Sequence, residues 1–188
     1  MAIETALLDA IRAAPHDDAP RLVYADYLIA QGDPRGELIA SQVMRSLDTR
    51  PRWVELLRAH RETWTAGARR IGATDVQFER GFIERISLDS VGAFLEHAGE
   101  LATWAPVPAV RITSSDSLAT FSPDYKSAAI STRAPAGVQL VIYDIATRGV
   151  RVDRVIACQP GAVRYWFAAP RRVIVELGEA LPSVDLAF

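Results

Sequence analysis

Residues 17–37 of this chain read DDAPRLVYADYLIAQGDPRGE, and they contain two helix starts and one helix stop. The first start lies at Asp17-Asp18, shortly before Pro20. Acidic side chains can accept hydrogen bonds from the free N–H groups of a helix N-terminus, and proline fits the first turn because it lacks a donor. This pattern predicts a helix over residues 19–31.

The stop and the second start follow at once. Gly32 is typical of the residue after a helix, since that position often needs a positive φ angle. Asp33 and Pro34 then supply an N-cap and a first helical residue. The sequence therefore predicts a tight turn and a further helix over residues 34–48.

Helices are also predicted on both sides of this pair. Upstream, apolar residues recur at three- and four-residue spacing, which is typical of an amphipathic helix: Ile3, Leu7, Ala10, Ile11 and Ala14. Downstream, Pro51 opens a fourth helix with large side chains on or near one face: Trp53, Leu56, Leu57, His60 and Trp64. The first seventy residues thus predict a four-helix unit.

Three strings in this region also carry a family resemblance: Leu7-Leu8 with Ala13-Ala14-Pro15, then residues 17–26, then residues 32–37. On these strings the segment resembles the bacterial repeat-companion domain, a module found N-terminal to leucine-rich-type repeats. The resemblance covers about residues 1–70 and continues more weakly through Arg80-Gly81-Phe82. It implies a helical accessory domain with no established activity.

The pattern changes after about residue 72. Residues 77–88 alternate apolar and polar positions from Phe82 onward and predict one strand. A short helix is predicted from residue 90 toward residue 102, and a second short strand at residues 110–112. Strand, helix and strand in about thirty residues are typical of one leucine-rich-repeat-like turn. Because one such unit cannot bury both of its faces, neighbouring elements must cover it.

The last third of the chain predicts an antiparallel sheet. Residues 121–156 loosely resemble one blade of a WD40-type β-propeller, with a Ser-Pro-Asp turn at residues 122–124 and Tyr-Asp at residues 143–144. Residues 113–188 are too few for four blades of about forty residues each. Including strands near residues 163–167 and 173–177, about five strands in a meander are expected.

The predicted fold class is therefore α+β: an N-terminal four-helix unit, a β-α-β link and a C-terminal antiparallel meander. We expect a helical domain over residues 1–72 and a sheet domain over residues 73–188, which could pack as one unit. The run at residues 138–145 is apolar at nearly every position, so it is expected to be buried on both faces.

Composition sets limits on the function. The chain has 188 residues, 49% of them hydrophobic, and a formal net charge of -2, which disfavours nucleic acid and membrane surfaces as partners. The N-terminus lacks a basic segment followed by an apolar core, so a cytoplasmic protein is expected. Cys158 is the single cysteine, which excludes an intramolecular disulfide, and its apolar neighbours predict a buried thiol.

No catalytic set, metal site or cofactor site is predicted. The histidines His16, His60 and His97 are too far apart in sequence for a helical metal pair. Asp17, Asp18 and Asp26 could hold a divalent cation, but helix capping and pairing with arginines explain them without one.

The motif has a structural or interaction role in this interpretation. Its members are Arg21, Tyr24, Asp26, Gly32, Asp33, Arg35 and Glu37. Arg21 and Arg35 are expected to pair with Asp17, Asp18 and Asp26. An ion-pair network of Asp26, Asp33, Arg35 and Glu37 is expected to hold the turn between the second and third helices.

The favoured function is a non-enzymatic protein-interaction or accessory module. Its candidate interface is the aromatic run Tyr165-Trp166-Phe167, which would contact a protein partner or a second copy. A DNA-binding helix-turn-helix regulator is the alternative, with Arg35, Gln42 and Arg45 as base-reading side chains. An enzyme whose site matches no known motif is a further alternative.

Overall fold

The computed structural model describes residues 2–157, 164–176 and 184–188 of the chain, without the side chains of Arg164, Trp166 and Glu176. Cys158, predicted to be a buried thiol, lies outside the described residues. Within them the fold is α+β, with helices first, then a β-α-β link and an antiparallel meander, as the sequence predicts.

Four helices form the N-terminal part of the chain: α1 (Ala2–Ala13), α2 (Ala19–Ala30), α3 (Pro34–Met44) and α4 (Arg50–Arg70). All four are predicted by the sequence, but the predicted end of the third helix at residue 48 is wrong. The helix stops at Met44 because Arg45 adopts the left-handed conformation, with φ at 46°. Residues 45–49 are therefore a connection rather than helix.

The turn between α2 and α3 has the predicted chemistry. Gly32 has a φ of 74°, and the Asp33 carboxylate accepts a hydrogen bond from the Arg35 backbone N–H at 2.8 Å. The two helices then pack closely at Gly36, where a Cβ would lie 2.5 Å from the Ala25 carbonyl oxygen. A larger residue at position 36 would force the helices apart.

The segment predicted as one strand over residues 77–88 is a hairpin, so that prediction is wrong. Its strands are β1 (Asp75–Glu79) and β2 (Phe82–Leu88). The two turn residues, Arg80 and Gly81, both have positive φ angles, 51° and 79°. Two consecutive positive φ angles are the requirement of a type I′ hairpin turn, whose twist matches that of the flanking strands.

The β-α-β link follows as predicted. After β2 the chain forms α5 (Val91–Leu101) and then β3 (Ala109–Ile112). The Ser90 hydroxyl caps α5 by accepting a hydrogen bond from the Ala93 N–H at 3.1 Å. Phe94 of α5 is fully buried and its ring centroid lies 5.6 Å from that of Phe121, so the helix packs on the meander.

The meander has more strands than the five expected and is divided between two sheets. The larger sheet continues through β4 (Ser117–Phe121), β5 (Ser127–Ala134), β6 (Gly137–Asp144) and β7 (Val150–Ala157), and its strand order is β1-β2-β3-β4-β5-β6-β7. The smaller sheet has the order β10-β9-β8 and consists of β8 (Arg164–Ala169), β9 (Arg172–Glu176) and β10 (Val184–Ala187). Consecutive strands from β3 to β7 and from β8 to β10 pair antiparallel.

The small sheet contributes to one hydrophobic core with the larger sheet. Leu140 and Ile142 of β6 are buried in a cluster with Val173 and Val175 of β9. The two fully buried residues of β6 alternate and lie on one face, and the other residues of the strand are half-buried, so the predicted burial of residues 138–145 on both faces is wrong. The alternate buried positions show which face of β6 meets the small sheet.

Two compact units divide the chain: Met1–Ile86 with Thr103–Pro108, and Ser87–Ala102 with Ala109–Phe188. The predicted domain boundary at residue 72 stays a prediction. The core of the first unit is a cluster of buried residues from three helices and β2: Ile11, Tyr24, Ala25, Leu28, Ile39 and Phe82. Within the described residues, every helix is too short or too polar to cross a membrane.

The hairpin turn gives a direct test of the first unit's packing. A Cβ at Gly81 would lie 2.1 Å from Ile39 Cγ1, whereas a Cβ at Gly72, which has a similar positive φ of 81°, meets nothing within 4 Å. Gly72→Ala should cost about 1 kcal/mol from backbone strain alone. Gly81→Ala should cost about 2–4 kcal/mol, because overpacking adds to the strain.

Urea unfolding followed by circular dichroism measures both values. Equal losses of unfolding free energy in the two variants would contradict the close contact between the hairpin turn and α3.

Candidate functional site

The motif surrounds a buried arginine. Arg21 of α2 is 0% exposed. Its Nη2 donates to Glu84 Oε1 at 2.8 Å and its Nη1 donates to the Asp17 carbonyl oxygen at 3.1 Å. The guanidinium also lies 5.6 Å from the centre of the Phe82 ring. Desolvation and the nearby charge of Arg80 lower the pKa of Arg21, while Glu84 opposes this shift.

A second guanidinium shares the same carboxylate. Arg80 Nη2 donates to Glu84 Oε1 at 3.1 Å, and its Nη1 is 3.4 Å from Asp18 Oδ1. The Nε atoms of Arg21 and Arg80 are both buried without a hydrogen-bond partner. One carboxylate oxygen therefore accepts hydrogen bonds from two guanidinium groups, and Asp18 supplies a second negative charge to Arg80.

The third arginine holds the hairpin turn against α3. Arg35 Nε donates to the Gly81 carbonyl oxygen at 3.3 Å, and its guanidinium lies 5.3 Å from the centre of the Phe82 ring. Burial lowers the pKa of Arg35. From the same helix, Gln42 Oε1 accepts a hydrogen bond from the Gly81 N–H at 2.7 Å. Both backbone groups of Gly81 are thus bound by side chains of α3.

The predicted ion-pair network of Asp26, Asp33, Arg35 and Glu37 is not found. Asp26 is exposed and has no hydrogen bond or ion pair with the described residues. Glu37 pairs instead with Arg52 of α4, through two hydrogen bonds of 2.6 Å, and this contact lowers the pKa of Glu37. Arg35 points its guanidinium at an aromatic ring and a carbonyl oxygen, so only the Asp33 cap holds the turn as expected.

Tyr24 completes the core of the motif. Its ring stacks near Phe82, with centroids 6.0 Å apart, and near Tyr27, at 6.1 Å. Its hydroxyl donates to Glu4 Oε1 at 3.3 Å. Burial, together with the nearby charge of Glu4, raises the pKa of Tyr24 to about 12.

Two residues of the predicted aromatic interface contact the protein's own second unit. The Tyr165 hydroxyl donates to the Leu118 carbonyl oxygen at 2.6 Å, and burial raises the pKa of Tyr165. Phe167 meets Phe188 edge-on, with centroids 6.4 Å apart, and both aromatic residues are partly buried. The side chain of Trp166 lies outside the described part of the chain, and the interface stays a prediction.

Titratable residues do not assemble into a metal site in the part of the chain that the structure describes. No three His, Cys, Asp or Glu side chains there are placed to hold a metal ion. His60 lies 5.0 Å from the Trp64 ring on the same helix. His60 therefore packs against a neighbouring side chain of its own helix.

A groove lies beside the hairpin, wholly within the first unit. We call it the α3–α4 groove; it has a volume of about 410 Å³. The lining residues that give it its chemistry are Arg45, Leu47, Arg50, Trp53, Phe78 and Arg80. The end of α3, the connection to α4, the first turns of α4 and the hairpin each contribute part of the wall.

An aliphatic side chain of the groove lining is left in solvent. Leu47, in the connection between α3 and α4, is 84% exposed, and nearby in the chain Met44 is 66% exposed. Trp53 and Phe78 are partly buried and line the groove itself. A concave surface that combines aromatic walls with an exposed aliphatic rim is typical of a binding site.

The charges of the groove are only partly neutralised. Arg45 pairs with Glu79, but both side chains are more than half exposed, so water competes strongly with this ion pair. Arg50 is exposed and has no ion pair with the described residues. The groove can therefore offer guanidinium groups to an anionic ligand.

Sequence reasoning missed both Glu84 and the groove. Glu84 follows Arg21 by 63 positions, and no local pattern connects the two residues. The sequence did not predict the groove because the third helix was predicted to extend to residue 48. In such a helix Leu47 would lie on a regular helical face rather than in a connection. The available signals were the Arg80-Gly81 pair, a turn sequence between apolar runs, and Pro51, which marks a new helix start.

Comparisons with known proteins add no relative. No family model matches this chain, and neither the curated proteins nor the solved structures contain a significant match.

The shared carboxylate provides a stability test. Glu84→Gln removes the charge that compensates the buried Arg21, so we expect a loss of about 3 kcal/mol in the free energy of unfolding. Glu37→Gln removes a carboxylate from a half-exposed ion pair, so it should change stability only slightly. Denaturant unfolding of both variants makes the comparison, and a Glu84→Gln variant as stable as Glu37→Gln would contradict the assignment.

Tyr24 predicts a component of alkaline unfolding. Its pKa in the folded protein, about 12, lies above the ordinary value of 10.0. The unfolded chain therefore loses the phenol proton first, and stability that is fully present below pH 10 falls as the pH rises to 12. This fall should amount to about 2–3 kcal/mol, since the shift is about two pKa units and each unit corresponds to about 1.4 kcal/mol.

Tyr24→Phe should lack this part of the decline. Urea unfolding of both proteins between pH 9 and pH 12 measures the difference. An identical alkaline decline in the two proteins would show that the Tyr24 phenol ionises as easily in the folded state as in the unfolded chain.

Proposed function

We propose that this protein is a non-enzymatic interaction module and that its first unit binds a partner protein through the α3–α4 groove. The observation that carries the proposal is the exposure of Leu47, at 84%, beside a groove lined by Trp53 and Phe78. An exposed leucine side chain does not gain the free energy that burial of its apolar area provides, and contact with a partner would supply this burial.

The composition of the groove supports a protein as the partner. Tryptophan and arginine are enriched among the residues that contribute most to protein–protein binding, especially where an aromatic side chain lies in a pocket. Trp53 and three arginines line this groove. The resemblance of residues 1–70 to the repeat-companion domain supports the same kind of role, because it implies an accessory module rather than an enzyme.

The DNA-binding alternative gains no support from the described side chains. Of its three candidate base-reading residues, Arg35 is bound to the Gly81 carbonyl oxygen and Gln42 accepts from the Gly81 N–H. Arg45 pairs with Glu79. Two of the three thus hold the hairpin turn, so releasing them to read bases would cost packing in the first unit.

A pocket that gathers Asp26, Arg35 and Glu37 would favour the enzyme alternative. Asp26 is exposed, Arg35 packs over Phe82, and Glu37 pairs with Arg52. These three side chains have separate surroundings and share no cavity among those described. We therefore favour the interaction module over a catalytic role.

Leu47→Asp tests the proposal without disturbing the fold, because the side chain is almost fully exposed. Ile3→Asp is the matched control, since Ile3 of α1 is also an exposed aliphatic residue, at 66%, and does not line the groove. Circular dichroism and thermal melting should show both variants folded like the wild type.

Affinity capture from lysate of the source organism, with a photo-crosslinking residue at position 47 or position 3, reports the partner. We expect one or more proteins to crosslink at position 47 and not at position 3, and the same proteins to be lost from Leu47→Asp but retained by Ile3→Asp. Capture that is unaffected by Leu47→Asp would place the interface elsewhere and refute the groove.

A further inference from the structure

The α3–α4 groove has the chemistry for one kind of partner segment. Resting on the proposed function, we infer that the groove binds an acidic segment of the partner chain that places one aromatic or large aliphatic side chain against Trp53 and Phe78. Its carboxylates pair with Arg50 and Arg45. The charge balance, the availability of these guanidinium groups and the apolar walls each support this occupant.

The charge balance of the lining favours anions. Three guanidinium groups come from three separate places in the fold: Arg45 after α3, Arg50 at the start of α4, and Arg80 in the hairpin turn. Glu79 is the one acidic residue that lines the described groove. Because Arg80 is paired with Asp18 and Glu84 outside the lining, the excess positive charge comes from Arg45 and Arg50 against Glu79. This excess attracts an acidic segment and repels a basic one.

The three arginines differ in how free they are to bind. Arg80 is already bound to Glu84 and Asp18. Arg45 has only its exposed pair with Glu79, which a partner carboxylate can replace at little cost. Arg50 has no ion pair with the described residues. Arg50 is therefore the first contact for a carboxylate and Arg45 is the second, whereas the charge of Arg80 is already paired with Glu84 and Asp18.

The start of α4 adds to the positive potential of the groove. The first turn of α4 holds no acidic residue, and the side chain of its N-cap, Thr49, makes no capping hydrogen bond. Within the first turn of α4, the positive end of the helix dipole is therefore not offset by a carboxylate. A carboxylate bound at Arg50 would lie beside this helix terminus and gain from both charges.

The apolar walls provide for the inserted side chain. Phe78 is held on the α4 side by Trp64, at 6.4 Å between ring centroids, and by the Arg61 guanidinium, 5.9 Å from the ring centre. A wall fixed in this way needs little ordering when it binds, which favours affinity. The groove volume of about 410 Å³ admits one large side chain and the adjoining backbone.

Fluorescence anisotropy with labelled synthetic peptides tests the inference on the full chain. The probe is a short peptide in which aspartate and glutamate flank one phenylalanine. One control peptide has lysine in place of every acidic residue, and another has alanine in place of phenylalanine. We expect the acidic phenylalanine peptide to bind at least about tenfold more tightly than either control, and the difference from the lysine peptide to shrink as salt is added.

Matched protein variants locate the binding. Arg50→Glu should weaken the acidic phenylalanine peptide about tenfold. Arg58→Glu is the control, because Arg58 is an exposed arginine on the same helix that does not line the groove, and it should bind as the wild type does. Equal weakening by both variants would show a general charge effect and overturn the inference.

The remaining outcomes separate this inference from the proposed function. If the acidic phenylalanine peptide fails to bind, or binds no better than the lysine peptide, the acidic occupant is wrong, while crosslinking at position 47 still decides whether the groove contacts a partner. A mononucleotide that displaces the peptide at equal or lower concentration would assign the groove to a small anion and also overturn the inference. If partner capture and crosslinking did not depend on Leu47, the proposed function itself would be refuted.

Discussion

The placement of Arg21 in the core is the constraint on which the first unit depends. A guanidinium that is fully buried needs an opposite charge, because desolvation of an unpaired cation costs several kcal/mol. Glu84 of β2 supplies this charge, and the Phe82 ring lies against the same guanidinium. The helical segment and the hairpin are far apart in sequence, so this ion pair ties α2 to β2 and fixes the position of the hairpin.

The remaining contacts of the hairpin follow from that position. With β2 held by Arg21, the turn at Arg80-Gly81 lies close enough to α3 for Arg35 and Gln42 to bind both backbone groups of Gly81. The same arrangement sets Phe78 and Arg80 beside the connection between α3 and α4. The ion pair that neutralises the buried Arg21 therefore also positions two walls of the candidate binding groove, although most of the groove residues themselves are exposed.

Local chemistry predicted the helices and the α2–α3 turn, because caps and glycine stops act within a few residues of each other. Gly32 and Asp33 show this: a positive φ and an N-cap are both visible in the sequence. The partners of Arg21, Arg35 and Glu37 could not be predicted in the same way, since each is chosen by the tertiary packing. Glu37 pairs with Arg52 rather than Arg35 because α4 packs alongside α3. The predicted third helix included Leu47 because no local sequence signal indicates that Arg45 adopts a positive φ angle.

Gly36 and Gly81 have a shared consequence for how this protein can evolve. Both lie where a backbone comes so near its neighbour that no side chain fits, at Ala25 for Gly36 and at Ile39 for Gly81. Close packing prevents substitution by larger residues at these two positions. Leu47 and Arg50 at the rim of the groove are exposed and contribute little to the stability of the fold. Substitutions at the rim would therefore alter the surface of the groove while the scaffold underneath keeps its packing.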